Sequence, residues 1–307
     1  MLSSVTVRAP AKVNLSLAVG PLRPDGYHGL ATVFHAVSIY DDLVATPLNP
    51  GSGIQIYIEG EGAGELPLDG TNLAVRAAMA LIEYGASPDV SLTIRKGIPV
   101  AGGMAGGSAD AAAALVAVDA LFELGLRRDT LFDIAATLGS DVPFALHGGT
   151  SIGSDRGTEL TSALVRGTYH WVFVLAEQGL STPLVYREFD RLHEGEGVPA
   201  PVVPPDLMAA LRAGDAVALG KALYNDLQGP ALSLRPHLAQ VLSIGHEFGA
   251  LGAVVSGSGP TCAFLVRDAE QAVDLAVAFT ATGVCRTVKR AHGPVPGARV
   301  VDQRATA

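Results

Sequence analysis

An α+β architecture in two domains is the fold class this sequence predicts, and three observations point to it. Stretches of period two and of period 3.6 are interleaved, without the strict strand–helix–strand repeat of a doubly wound sheet. At 307 residues the chain is longer than one ordinary domain needs. A cluster of turn formers (Gly148, Gly149, Gly153, Asp155, Gly157) interrupts it near the middle. The expected domains are therefore residues 1–160 and 161–303. With 49% hydrophobic and 17% charged residues, the composition builds a core rather than a disordered chain.

The elements follow in order. Residues 5–19 alternate as a strand does, with Val13, Leu15, Leu17 and Val19 on one side and Lys12, Asn14 and Ser16 on the other. Pro24-Asp-Gly26 is a turn, and 31–39 is a second strand, with Val33, Val37 and Ile39 opposite Phe34. Residues 54–58 and 90–95 read as further strands. Between them Thr71-Asn72 opens a helix running to about Tyr84 on a stripe of Ala74, Ala77, Ala78 and Leu81. A glycine-rich run leads into a helix from Ser108 to Leu124, with Leu115, Val118, Leu121 and Phe122 facing inward. A helix over 129–138 should stop at Gly139 as a left-handed cap, before Ser140-Asp-Val-Pro143. Past the break, 170–175 is a strand and 199–205 an extended linker. Helices are expected at 206–213, 215–227 and 235–248, then two apolar strands around a glycine turn within Val254–Val266. A helix at 269–281 and a strand at 285–290 end the series.

The formal net charge of −9 argues against a nucleic-acid partner, which needs a basic face. An anionic ligand must then be drawn by local groups. Cys262 and Cys285 are too few for a disulfide framework and lack metal-ligand spacing. The N-terminus has no apolar run of signal length, and no stretch reaches the ~18 apolar residues of a membrane span. A cytoplasmic protein with no membrane partner is expected.

The run from Pro99 to Asp110 carries the strongest chemical signal. Gly102, Gly103, Gly106 and Gly107 surround Met104 and Ala105, and Ser108 then enters an alanine-rich helix. Glycines let backbone N–H groups converge on a ligand, and a helix start adds free N–H groups and a positive dipole end. Phosphate is the ligand such a loop favours. Neither familiar fingerprint fits: Ser108-Ala109 stands where a P-loop has Lys-Ser/Thr, and the glycine spacing is not that of a dinucleotide fold. The missing lysine must be replaced from elsewhere. A plain flexible loop before a close-packed helix is the alternative.

Ala9-Pro-Ala-Lys-Val-Asn-Leu15, the 99–112 loop and Ser256-Gly-Ser-Gly-Pro-Thr261 resemble, in order and spacing, the GHMP small-molecule kinases. Arg23-Pro-Asp-Gly-Tyr-His28 and Leu138-Gly-Ser-Asp-Val-Pro-Phe144 are similar to the branch of that family acting on 4-diphosphocytidyl-2-C-methyl-D-erythritol, in isoprenoid precursor synthesis. The resemblance implies an N-terminal domain like the second domain of ribosomal protein S5 and a ferredoxin-like C-terminal domain. The site would lie in the cleft between them. ATP with Mg²⁺ would phosphorylate the 2-hydroxyl of that small-molecule substrate.

The resemblance also implies roles. Asp141 would accept the hydroxyl proton, and Lys12 would pair with it and stabilise the transferred charge. Alone, Asp141 reads as a helix N-cap and Lys12 as a solvated strand residue. Asn14 would bond the erythritol hydroxyls, with Thr182 nearby. Tyr27 would stack on the cytosine, His28 read its Watson–Crick edge, and Tyr186 form a second aromatic wall. Phe34 either closes that pocket or belongs to the core. Pro99, Gly102, Gly103, Met104, Ala105, Gly106, Gly107 and Ser108 would wrap the ATP phosphates, with Ser108 reaching Mg²⁺. Asn72 and Lys96 would line the adenine side, and Asp110 would cap the first helical turn or bond the nucleoside. Another GHMP kinase, for a small acyclic alcohol, is told apart by Tyr27 and His28. A non-catalytic sensor is opposed by Lys12, Asp141 and the loop occurring together.

Overall fold

The computed structural model describes residues 2–100, 102–176, 178–195 and 197–305, so Ala101 of the glycine run lies outside the described residues. The first half of the chain runs β1 (Leu2–Leu22), β2 (His28–Pro47), β3 (Ile54–Gly60), α1 (Leu73–Ala80), β4 (Val90–Lys96), α2 (Gly106–Leu121), α3 (Arg128–Leu138), α4 (Val142–His147), β5 (Thr150–Ser154) and β6 (Glu159–Ser162). The second half runs β7 (Tyr169–Leu175), α5 (Thr182–Leu192), α6 (Pro205–Ala213), α7 (Ala216–Ala222), β8 (Tyr224–Asn225), α8 (Gln228–Leu234), α9 (His237–Glu247), β9 (Gly252–Val255), β10 (Cys262–Val266), α10 (Ala269–Thr282), β11 (Thr287–Gly293) and β12 (Arg299–Ala305).

Among the described residues, an eight-stranded sheet follows the order β12-β1-β2-β4-β3, with β5 on β2, β6 on β5 and β8 on β1. Its backbone is the long β1–β2 hairpin, paired from Val5 opposite Ala45 to Leu22 opposite His28. Register breaks between Pro10 and Ala11 and between Asn14 and Ser16 bracket the Lys12–Asn14 stretch. Such irregularities bend a strand and re-aim its side chains. Val13 and Leu15 accordingly enter one core, while Leu17 and Val19 enter the other. The face expected to meet solvent is buried too, since Lys12, Asn14 and Ser16 are nearly inaccessible.

Helix α2 packs on this sheet and against α1. Ala109, Ala111, Ala112, Ala113, Ala114 and Ala117 are all buried beside Leu115, Val118 and Leu121. The inward face is therefore wider than the expected stripe, because alanine lets backbones approach closely. Phe122 is only half-buried and ends the helix. Gly139 is not a left-handed cap: its φ of 172° and ψ of 156° are extended, which carries the chain straight on to Asp141 and α4.

The second sheet, β11-β7-β10-β9, is antiparallel. Trp171 and Phe173 of β7 join the first core, whereas Val172 and Val174 face the second, with α5, α8, α9 and α10. Both faces are thus covered. The expected helix over 215–227 is cut at Ala222, because Tyr224 and Asn225 pair in parallel with Ser16 and Leu17 of β1. The last described residues form a strand the sequence did not announce: β12 returns to the first sheet, from Leu2 opposite Ala305 to Arg8 opposite Arg299.

Candidate active site

A cleft of about 670 Å³ is bounded by β1, the start of β2, the glycine run, Asp141, α5 and the turn at Gly257 and Ser258. Its floor is β1. Lys12 Nζ donates to Asn14 Oδ1 at 2.6 Å, and Asn14 Nδ2 donates to Thr32 Oγ1 at 2.8 Å. Thr32 donates in turn to the Ser16 carbonyl at 2.7 Å. This chain of bonds fixes the Asn14 amide while leaving one further donor and acceptor site on it. Lys12 Nζ lies 3.8 Å from Asp141 Oδ2. Burial pulls the Lys12 pKa down from its usual value, and the Asp141 carboxylate pulls it part of the way back.

Asp141 occupies the N-cap position of α4, yet its side chain makes no capping bond. The carboxylate is left to face Lys12 and the cleft. Phe34 stacks on Phe144 at 4.9 Å within a small core cluster, and it also lines the cleft, with Lys12 Nζ 5.8 Å from its ring centre. Phe34 thus belongs to a core cluster and to the cleft wall.

The glycine run arrives from β4. Gly102, Gly103, Met104, Ala105 and Gly106 line the cleft with Pro99, and α2 begins at Gly106 behind Ala105 in a left-handed conformation. The first N–H groups of this 16-residue helix have no intrahelical acceptor. Gly107 and Ser108 lie on that first turn, outside the cleft lining. The second glycine turn closes on the first. Ser256 Oγ donates to the Gly103 carbonyl at 3.1 Å, and Gly103, at φ +71°, has no room for a Cβ against the Ser256 carbonyl. A Cβ on Gly257 would stand 3.2 Å from Lys12 Nζ. Asn225 braces this turn, donating at 2.7 Å to the carbonyls of both Val255 and Gly257.

Three expected nucleotide contacts are not brought to the cleft. Lys96 is sealed in the interior with 1% side-chain exposure, donating to Asp41 at 2.5 Å and to Asp110 at 2.6 Å. Its ammonium sits just beneath Gly106, 3.3 Å from where a Cβ would be. Asp110 neither caps the helix nor faces a ligand: burial, with Asp41 adding to it, pushes its pKa up to about 8 against the pull of Lys96. Asn72 caps α1 by accepting from the Ala74 N–H and donates to the Pro67 carbonyl, and it is not among the residues lining the cleft.

At the other end, α5 lays Thr182, Tyr186 and Asp190 along one face at i, i+4 and i+8. His28 stacks on Tyr186 with centroids 5.2 Å apart and interplanar angle 28°. Its Nε2 is 2.8 Å from Asp190 Oδ1. Burial holds the Tyr186 hydroxyl protonated well above its usual range. Tyr27 is 54% exposed at the rim, with the Arg156 guanidinium 3.9 Å over its ring. Asp25 accepts from Arg156 at 2.9 Å and from Arg23 at 3.1 Å, tying the Leu22–His28 turn to the β5–β6 turn. Thr182 Oγ1 and Ser258 Oγ are 2.8 Å apart, linking α5 to the second glycine turn.

The family profile for the GHMP kinases N terminal domain matches residues 72–149, and that for GHMP kinases C terminal matches 207–285. A relative from Streptomyces coelicolor is 57% identical over 97% of this chain and 100% of its own length. The chain belongs to the GHMP kinase family. That relative, and one from Nocardia farcinica that is 55% identical over 98% of this chain and 97% of its own, are named 4-diphosphocytidyl-2-C-methyl-D-erythritol kinase. A crystal structure of 4-(cytidine 5'-diphospho)-2C-methyl-D-erythritol kinase superposes with a TM-score of 0.74, at 34% identity over 94% of this chain and 98% of its own. A mevalonate kinase from L. major, 16% identical over 96% of this chain and 98% of its own, gives 0.75 and shares the fold. The two-domain architecture of this kinase is that family's, as the glycine loop and Pro-Ala-Lys-Val-Asn-Leu motif implied.

Sequence reading missed Arg156, Asp190 and Asn225, while Ser258 fell within the second glycine motif without a role of its own. Asp190 stands four residues after Tyr186, so a helix read at 182–192 would have exposed it. Arg156 lay in a stretch read only as a domain break.

Proposed function

We propose that this kinase transfers the γ-phosphoryl group of ATP to the 2-hydroxyl of 4-diphosphocytidyl-2-C-methyl-D-erythritol. The observation that carries the reading is one cleft with the Lys12–Asp141 pair at its centre. The glycine loop and Tyr27, His28 and Tyr186 line the same cleft as that pair. Relatives 54–57% identical over almost the whole chain bear the corresponding name.

The substrate oxygen attacks the γ-phosphorus, the bond to the bridging oxygen of ADP breaks, and the hydroxyl proton passes to Asp141. Lys12 holds positive charge beside the transferred group, in a buried place where that charge acts strongly. It supplies the cation that the glycine loop lacks. Asn14 uses its remaining donor and acceptor to orient the erythritol hydroxyls, with Thr182 opposite. Backbone N–H groups from Gly103 to Ser108 hold the ATP phosphates.

Among the described residues no cluster of three His, Cys, Asp or Glu side chains could cage a metal. Mg²⁺ would instead be carried by the phosphates, with the Ser108 hydroxyl as the side-chain oxygen that would hold it. Bound there, the ion supplies charge neutralisation to the phosphates. The nucleotide reading no longer includes the Lys96 and Asp110 side chains as contacts, since they are paired inside the protein, and it keeps Asn72 on the adenine side. The domain division is placed near residue 160, with β12 returning to the first sheet. Cytoplasmic location is part of this reading, supported by two free cysteines and ATP as co-substrate. No helix among the described residues is long and apolar enough to cross a membrane.

The test is ADP release from Mg-ATP with the cytidyl substrate, beside homoserine, mevalonate and galactose. Turnover with the cytidyl substrate alone supports the reading. Turnover with another alcohol keeps the kinase but overturns the pocket assignment.

A further inference from the structure

His28 opens β2 at the inner end of the pocket, and α5 holds its ring on three sides. Tyr186 lies parallel to it, Phe189 meets it edge-on at 5.8 Å and 88°, and Asp190 takes its Nε2 at 2.8 Å. The imidazole is 5% exposed, whereas the Asp190 side chain is 40% exposed at the cleft wall. A carboxylate only accepts hydrogen bonds, so Nε2 must carry the hydrogen in that contact. In the neutral ring the other nitrogen, Nδ1, is then left with a lone pair. Among the described residues nothing in the protein bonds His28 Nδ1, and it is not one of the sealed, unpartnered polar atoms. It is therefore an acceptor presented to whatever enters.

That acceptor has a chemical preference. A pyrimidine with an exocyclic amine at C4 brings a donor to Nδ1, whereas one with a C4 carbonyl brings a second acceptor. Two lone pairs would face each other in a place from which water is largely excluded, and such mismatches are costly. We infer that Asp190 is a positioning residue that fixes the tautomer of His28 and so makes the pocket select aminopyrimidine over oxopyrimidine nucleotides. The inference rests on the reading that this pocket takes the base of the cytidyl substrate. Asp190 touches no base itself; it acts through the ring it holds.

Two readouts test it. The first is imidazole ¹⁵N chemical shifts, with the His28 signals identified by loss in a His28→Gln variant. The free wild-type protein should show Nε2 protonated and Nδ1 bare, and Asp190→Leu should show both tautomers populated. A wild-type ring with its proton on Nδ1, or an imidazolium protonated on both nitrogens, overturns the inference. The second compares kcat and KM for the 4-diphosphocytidyl substrate and its 4-diphosphouridyl counterpart. Asp190→Leu should lower the cytidyl-over-uridyl ratio of kcat/KM on the order of 10-fold, the worth of one net hydrogen bond. The change should appear in KM for the cytidyl substrate, with KM for ATP within about twofold. An unchanged ratio in a folded variant overturns the inference, because a merely structural role would weaken both substrates alike. If wild-type protein phosphorylates neither substrate, the proposed function fails, while the ¹⁵N readout still judges the tautomer.

Discussion

Asp141 shows how a residue suited to two uses is committed to one. Glycine before it and proline two places after it make a helix cap the ordinary outcome, but its carboxylate bonds no backbone N–H and turns to Lys12. Asp141→Asn should therefore leave thermal stability and KM for ATP nearly unchanged, while kcat falls about 10²–10⁴-fold, the usual worth of general acid–base catalysis. Steady-state kinetics beside a melting curve checks this, and wild-type turnover would remove the role. Tyr27, mostly exposed and with one ring face under Arg156, offers its other face to a base. Tyr27→Ala should raise KM for the cytidyl substrate about 5- to 150-fold, from loss of stacking worth about 1–3 kcal/mol, with KM for ATP unmoved. Equal loss of both would count against stacking. Asp110 belongs to a different ledger. Its pKa is raised to about 8, so the native protein keeps a proton that the unfolded chain, near 3.8, has released. Stability is then lost as pH rises between those two values, by at most about 1.4 kcal/mol per pH unit. Asp110→Asn should flatten that slope in urea titrations at several pH values, and a slope unchanged by the substitution contradicts the assignment.

At the scale of elements, the strands and helices with strong internal pattern were legible and those set by neighbours were not. Residues 129–138 and 206–213 were read almost to the residue, because their apolar spacing is complete within the segment. β12 was invisible: Arg299-Val-Val-Asp-Gln-Arg-Ala305 is an edge strand, paired on one side and mostly exposed, so its sequence carries little burial signal. The 215–227 helix failed where Asn225 is needed to brace the second glycine turn, a demand set by residues thirty places on. In the site, the glycine loop, Lys12, Asn14 and Asp141 were legible as motifs. The partners of Lys96 were not, since a lysine on a strand reads as surface unless two buried carboxylates are known to meet it. The two glycine turns are packed face to face, and Gly103 is where that packing is tightest. Gly103→Ala, at a left-handed φ and against the Ser256 carbonyl, should cost at least about 1 kcal/mol in stability and raise KM for ATP. A variant with native melting temperature and native ATP titration would show that the turns do not depend on each other.

For the whole molecule, a chain of net charge −9 keeps Lys12 as a buried cation in its cleft and Lys96 paired with carboxylates in its interior. Its two cores share β1, so opening either should disturb the other. Cys262, sealed in the second core with its thiol pushed up to about 12, should react with a disulfide reagent only on global unfolding, whereas half-buried Cys285 should react in the native state. Thiol counting over time checks this, and saturating ATP should slow the Cys262 phase alone; two fast phases would mean the second core opens locally. The sharing of β1 also sets an order in time. Residues 5–8 of β1 have one edge on β2 and the other on a strand that begins at Arg299. Lys12 follows a few residues later on the same strand. While the chain is being made, the floor of the cleft is thus a sheet with an open margin, finished only when nearly three hundred further residues have left the ribosome. A nascent chain can therefore hold the glycine loop before the sheet that carries Lys12 is complete.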